Sequence, residues 1–231
     1  MSRTMTRRYR RTRSRLPGSV RDAPAASAPH RVYIAGVIDA VLPAVRAHLG
    51  ARFGGAEPET ASVTFLGLEP IEVLRFRVEQ PDLVRFATLG CSRHPMGDPT
   101  ATVADPNRGP RAELILSVRG LTGALPGLVR TLATLAALPA VEGVVLTDDA
   151  LLDLGEPLWQ GAPFTAVMLE PSDVPELVLP EPADPVRFFE VIPLTGTEAA
   201  WKRLRGGDAL REAWSEAGID VRDPNRAPAR M

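Results

Sequence analysis

Residues 186–207 read VRFFEVIPLTGTEAAWKRLRGG. Val186–Leu194 is the last strong strand of the chain. Thr195 and Glu198 then stand at capping-box spacing: the Thr195 hydroxyl accepts from the backbone N–H of Glu198, and the Glu198 carboxylate reaches back to the N–H of Thr195. The helix so opened runs to about Arg205, and Gly206-Gly207 stops it. Asp208 is placed to cap a second helix, with Leu210, Ala213, Trp214 and Ala217 on its apolar stripe before Gly218.

The chain upstream carries the same mixture. IEVLRFRVE (71–79) alternates, with Leu74, Phe76 and Val78 on one face and Arg75, Arg77 and Glu79 on the other, the pattern of a half-buried strand. LVRFATL (83–89) and AELILSV (112–118) read the same way. The stretch between them, rich in Pro, Gly, Asp and Asn, is a loop. Leu125–Leu138 is expected as a helix with Pro126 near its start, a stripe of Leu128, Val129, Leu132 and Leu135, and Pro139 as its stop. VVL (144–146) and FTAVML (164–169) are expected as short strands, whereas the five prolines of 171–185 rule out a central strand there. Near the start, Ile38, Val41 or Leu42, Val45 and Leu49 recur at helical spacing. Pro43 either kinks that helix or lies in the first turn of a shorter one, and Gly50 and Gly54-Gly55 end it. DPNR occurs twice, at 105–108 and 223–226, both read as turns. Strands and helices without regular βαβ alternation predict an α+β fold: a single mixed-sheet domain with flanking helices.

Composition sets the limits on function. The 231 residues carry a formal net charge of -1, which hides an asymmetry. Residues 1–31 hold nine arginines and one acid; the remainder has 18 basic and 27 acidic residues, a net -9. Residues 131–186 contain ten acids and no Lys or Arg. The basic set is 26 Arg and one Lys, Lys202, which with abundant Ala and Pro matches a GC-rich genome. Residues 1–31 are expected to be a disordered basic tail, since like charges repel and nothing there can be buried. The twin arginines lack a following apolar region, which excludes a secretory signal. The tail is either a nucleic-acid arm, a bland extension, or the result of a start codon set too early. No run approaches the ~20 apolar residues of a membrane helix, so a soluble, cytoplasmic protein is expected. The ordered domain is expected over 32–226, with 227–231 a short C-terminal tail.

The lone cysteine raises the question of chemistry. Cys91 and His94 stand three places apart, and Cys with His is the usual pair of thiol catalysis. Such a pair needs hydrogen-bond reach and a third group to orient the base, and its members usually come from distant parts of a chain. After a strand and before a proline the two need not face each other, so Cys91 is read as a small residue filling a strand end. Together with His30 and His48, these residues match no zinc spacing, and no P-loop, GxGxxG, GxSxG or HExxH occurs. Asp148, Asp149 and Asp153 are read as polar residues of a turn and a neighbouring strand rather than metal ligands. Trp159, Trp201 and Trp214 are read as core rather than a pocket lining, and Arg111 with Glu113 as a surface ion pair or a contact to a partner. No catalytic, metal or cofactor-binding residue is assigned, and no cofactor is expected.

FATLGCSRHPM (86–96), RAELILSV (111–118), LWQGAPFTAVML (158–169) and above all VIPLTGTEAAWKRLRGGDALREAWSEAGIDVRDPNR (191–226) resemble the Suppressor of fused domain family. The resemblance covers about Val32 to Arg226 and leaves residues 1–31 unmatched. It implies a non-enzymatic protein-binding domain. In animals the family restrains a transcription factor by clamping a peptide strand between two domains, and this chain stops where the shared domain stops. Bacterial members of this kind are held to be immunity proteins against nuclease toxins, and the arginine bias fits a bacterium. The acidic body agrees, because an inhibitor of a phosphate-gripping site gains encounter rate and specificity from negative charge. The expected function is therefore neutralisation of a cationic, nuclease-type toxin by occlusion. The alternatives are a regulatory interaction module for another partner, or nucleic-acid binding through the Arg-rich tail. The resemblance assigns no residue of this chain to binding.

Overall fold

The computed structural model describes residues 29–54, 57–78, 82–97, 105, 107–121 and 123–229, and of residues 29–39 it describes only the backbone path. In order the elements are helix α1 (Pro29–Phe53), strands β1 (Glu59–Val63), β2 (Ile71–Arg77) and β3 (Leu83–Leu89), a 3-10 turn (Cys91–Arg93), β4 (Arg111–Arg119), α2 (Leu128–Glu142), β5 (Leu151–Asp153), β6 (Phe164–Pro171), β7 (Val186–Thr195), α3 (Gly196–Arg205) and α4 (Gly207–Glu216). The strands form one seven-stranded sheet in the order β1-β2-β3-β4-β7-β6-β5. Only β4 and β7 run parallel; every other pair is antiparallel. The expected α+β architecture, one mixed sheet with flanking helices, is the one observed.

Alternation along the strands sorts side chains into two faces. Val73, Val84, Phe86, Leu114, Leu116, Val167 and Leu169 meet Leu128, Leu132, Leu135 and Ala136 of α2 on one face. On the other, Leu74, Phe76, Ala87, Ile115 and Phe188 pack against Val41, Val45, Leu49 and Phe53, the i, i+4 stripe of α1. Further along that face, Ala166, Met168, Ile192 and Leu194 meet Ala199, Leu210 and Trp214 of α3 and α4. Covered on both sides, β3 is buried along its whole length, which is why its sequence is nearly continuous in apolar residues.

Several local expectations change. α1 runs on through Pro43, so the longer of the two readings holds, and it ends at Gly54 (φ 67°), whose N–H bonds the Gly50 carbonyl. It starts at Pro29, inside the stretch assigned to the tail; the rest of that tail lies outside the described residues. Pro139 does not stop α2. The helix passes it and closes at Gly143, whose left-handed backbone (φ 68°) lets its N–H cap the Pro139 carbonyl. Residues 144–146 form no strand, while β1 and β5 are strands the apolar pattern does not announce. Asp208 is not an N-cap: Gly206 holds that position, and Asp208 is the second residue of the helix, paired with Arg211 at 2.8 Å. No helix among the described residues is long and apolar enough to cross a membrane.

The capping box forms as its spacing dictates, and it is the outer part of a larger device. Glu198 accepts from the Thr195 N–H at 2.8 Å while its own N–H donates to the Thr195 hydroxyl. The same carboxylate accepts from Trp214 Nε1 at 2.9 Å and from both terminal nitrogens of Arg226, at 2.6 and 2.9 Å. Arg226 also donates to the Pro193 carbonyl at 2.7 Å and lies over the rings of Phe164 and Trp214. Both charged side chains are buried, 0 % and 3 % exposed, so the pair stands or falls together. Arg226→Met strands a carboxylate in the core and is expected to cost about 3–5 kcal/mol in urea unfolding. Adding Glu198→Gln to it should recover part of that loss; a single mutant within 1 kcal/mol of the parent, on the order of a surface pair, would show that the pair is not buried as described.

Candidate functional site

The end of β3 and the turn after it are organised by Glu113 of β4. Its buried carboxylate accepts from the Thr88 hydroxyl (2.6 Å), the Gly90 N–H (2.8 Å), the Ser92 N–H (3.0 Å) and the Ser92 hydroxyl (2.6 Å). The Thr88 hydroxyl in turn accepts from the Leu114 N–H at 2.9 Å. Arg111, buried on the same strand, donates to the carbonyls of Ser92 and Arg93, both at 2.8 Å. Glu113 therefore collects the donors of the turn and Arg111 its acceptors. They are not a surface ion pair, as the sequence suggested, and no salt bridge joins them. Gly90 has φ 144° and an added Cβ would come within 3.2 Å of the Ile71 backbone, so only glycine fits this step.

This turn forms one wall of a half-open pocket of about 250 Å³. The other walls are the 67–71 loop (Gly67, Leu68, Glu69 and Ile71) and the last turns of α2 (Ala136, Ala137, Pro139 and Ala140). Cys91 and His94 both line it, and among the described residues no hydrogen bond joins them. Cys91 is buried in the apolar core. Burial, and secondarily the Glu113 carboxylate, push its thiol well above the ordinary range, the opposite of what a nucleophile needs. His94 is exposed and hydrogen-bonds Glu69 Oε2 at 2.8 Å, and Arg93 pairs with the same carboxylate at 3.3 Å. Cys91 thus sits buried in the 3-10 turn that follows the end of β3.

The remaining candidates are absorbed by the fold. Asp149 bonds Lys202 and Arg211, each at 2.9 Å, and Asp153 pairs with Arg203; no metal-ligand cluster occurs among the described residues. Burial pushes the Asp149 carboxyl up, but the hydrogen bonds and charges of Lys202 and Arg211 outweigh it and leave the pKa lowered. Gly207 packs so tightly on Asp149 that a Cβ would lie 2.0 Å from its Oδ1. Trp159 and Trp214 are core; Trp201 is half-buried under Arg205. His48 bonds the Pro175 carbonyl at 2.8 Å and stacks on Phe188, and the His30 side chain lies outside the described residues.

Sequence reading missed a polar seam on the α1 face. Arg85 of β3 grips Asp173 through two hydrogen bonds, at 2.6 and 2.8 Å, and lies over Phe53. Those hydrogen bonds hold the Asp173 carboxyl below its usual range despite part burial. Glu190 of β7 is buried nearby and accepts from the Ser117 N–H at 2.9 Å; burial raises its pKa against the opposing pull of Ser117, Arg85 and Arg222. Charged residues in the middle of strands are the signal that could have found this seam, because a central strand spares no solvent face for them.

The Suppressor of fused protein (SUFU) family profile matches residues 67–227, from the pocket loop to one residue past Arg226. The chain belongs to the Suppressor of fused family. Solved structures that share the fold include the following three. A Suppressor of fused homologue from Neisseria gonorrhoeae is 19% identical, with 82% of this chain and 97% of that one covered at a TM-score of 0.59. A structure of the Sufu–Fu complex is 12% identical, covering 81% and 91% at 0.61. Drosophila Suppressor of Fused is 13% identical at 0.60; 81% of this chain is covered but only 50% of that protein, so the chain spans half its length. No curated protein matches the chain significantly. Across this family relationship the match begins at Gly67, which leaves α1 and β1 outside the profile though inside the sheet-and-helix framework.

A thiol this deep is expected to react slowly. At pH 8 the native protein should be alkylated by iodoacetamide about tenfold or more slower than a free cysteine, and Cys91→Ser should fold and function as the parent does. Alkylation as fast as a free thiol would place Cys91 at the surface.

Proposed function

We propose that this Suppressor of fused domain is a non-enzymatic protein-binding domain that neutralises a cationic, nuclease-type toxin by covering it. One observation carries the binding reading: the fold superposes on that of the Sufu–Fu complex over 91% of that chain, a protein held with a protein partner. The disabled Cys91 adds to it, since the best thiol candidate has neither a low pKa nor a bonded base.

Charge supports the toxin reading in part. Of the ten acids in 131–186, Asp149, Asp153, Glu170, Asp173 and Glu176 are already held by Arg or Lys from elsewhere in the fold. Asp184 accepts from the Gly109 N–H at 2.6 Å. Glu142, Asp148, Glu156 and Glu181 are exposed, with no salt bridge among the described residues, and they would meet a cationic partner. That internal neutralisation favours, as the second reading, a regulatory interaction module whose partner is held mainly by apolar contact.

The experiment mixes the full chain with candidate cationic nuclease domains from the same genome, those of neighbouring genes first. The proposal expects a stoichiometric complex, loss of nuclease activity, and binding that weakens steeply between low and moderate salt. A complex insensitive to salt that leaves the nuclease active would support the second reading and overturn the toxin role. Catalytic turnover by the isolated chain, lost on changing one side chain, would overturn both.

A further inference from the structure

The pocket beside Cys91 combines three features that the framework does not need. Its volume, about 250 Å³, falls short of the roughly 300–1,000 Å³ typical of small-molecule sites, so it suits one large side chain better than a metabolite. Its α2 wall is built of Ala136, Ala137, Pro139 and Ala140, small side chains that leave the space open. Two large apolar residues flank it in the chain and are left in water: Leu66, fully exposed, immediately before Gly67, and Val141, 63% exposed, immediately after Ala140. Exposed apolar side chains that adjoin pocket-lining residues in the chain mark this region as a candidate contact surface.

The electrostatics of the same place select the partner. α2 ends here, and its last turn carries no basic residue to complement the negative end of the helix dipole. It carries Glu142 instead, exposed and without a salt bridge among the described residues. A carboxylate at a helix C-terminus is the locally unfavourable choice, and an incoming cation relieves it. Within the pocket Glu69 is already engaged, paired with Arg93 and hydrogen-bonded to His94.

We infer that this groove between the 67–71 loop, the Gly90–Pro95 turn and the end of α2 docks a basic segment of a protein partner. One aliphatic side chain enters the pocket, Leu66 and Val141 cover it, and an adjacent Arg or Lys sits on Glu142. The inference rests on the protein-binding reading above and names its contact face.

The test is an NMR titration of the full chain with three synthetic decapeptides. The first carries one leucine between two arginines, the second has serine for that leucine, and the third has aspartates for the arginines. The first should shift the amides of Gly67, Glu69, Gly90, Arg93, His94 and Ala140. Losing the leucine or reversing the charge should weaken binding about tenfold or more. Ala140→Trp, which fills the pocket from an exposed helix position, and Glu142→Lys should each abolish the shifts while the spectrum stays dispersed. Equal binding of the aspartate peptide, or shifts confined to other faces, would overturn the inference. So would movement of these same resonances with protein concentration alone, because the groove would then seat a second copy of the chain. The result does not depend on whether any nuclease is inhibited, so the toxin role and the docking face can fail separately.

Discussion

The ion pair between Glu198 and Arg226 is the constraint on which the C-terminal half depends. It joins residues 28 positions apart and brings four segments to one point. The end of β7 arrives through Thr195 and Pro193, and α3 begins at the capping box. α4 delivers the Trp214 N–H, and the final turn delivers Arg226 itself. Each partner alone would be a charge stranded in the core. Together they satisfy one another and the groups around them. Burial raises the carboxyl's pKa, but the bonds from Arg226, the Thr195 N–H and Trp214 overcome that and leave it lowered.

A second buried carboxylate does the same for the N-terminal half. Glu113 fixes the turn after β3 by accepting four hydrogen bonds, and Arg111 closes it from the carbonyl side. This arrangement gives the Cys91–His94 stretch an architectural role. The turn is fixed so firmly that Cys91 faces the core while His94 faces solvent, and what remains between the turn and α2 is a shaped hollow. The inferred docking face uses that hollow as a contact surface, a role that needs a rigid wall and no reactive group.

Much of this fold was legible in the chain. The strands at 71–77, 83–89, 111–119 and 186–195 follow from alternation or apolar runs, and the α3 start follows from Thr195 and Glu198. What stayed hidden has physical causes. Arg111 and Glu113 read as a surface pair because charge usually means exposure, and nothing local reveals that the turn at 88–93 will enclose them. Arg226 lies in a DPNR tetrapeptide whose twin at 105–108 makes the same Asx turn, Asn107 N–H to Asp105 and Asn225 N–H to Asp223. Yet Arg108 is exposed and Arg226 buried, so the motif encodes the turn and tertiary contact decides the arginine. Pro139 misled because a proline lacks only its own N–H, and α2 tolerates that one loss before Gly143 ends it. β1 and β5 are edge strands, exposed or half-exposed, and carry too little apolar pattern to be seen. The candidate groove was the least legible part, since Leu66 and Val141 gain meaning only once the pocket brings their neighbours together.

The most direct test of the buried-carboxylate account is a carbon-13 NMR titration of the Glu198 carboxyl in the native chain. The account predicts that it stays ionised below the ordinary glutamate range. Because the folded pKa is the lower one, the stability it contributes is full above the unfolded value and is lost as pH falls through the folded one. A Glu198 that protonates at the value of an exposed glutamate, with the fold intact, would contradict it.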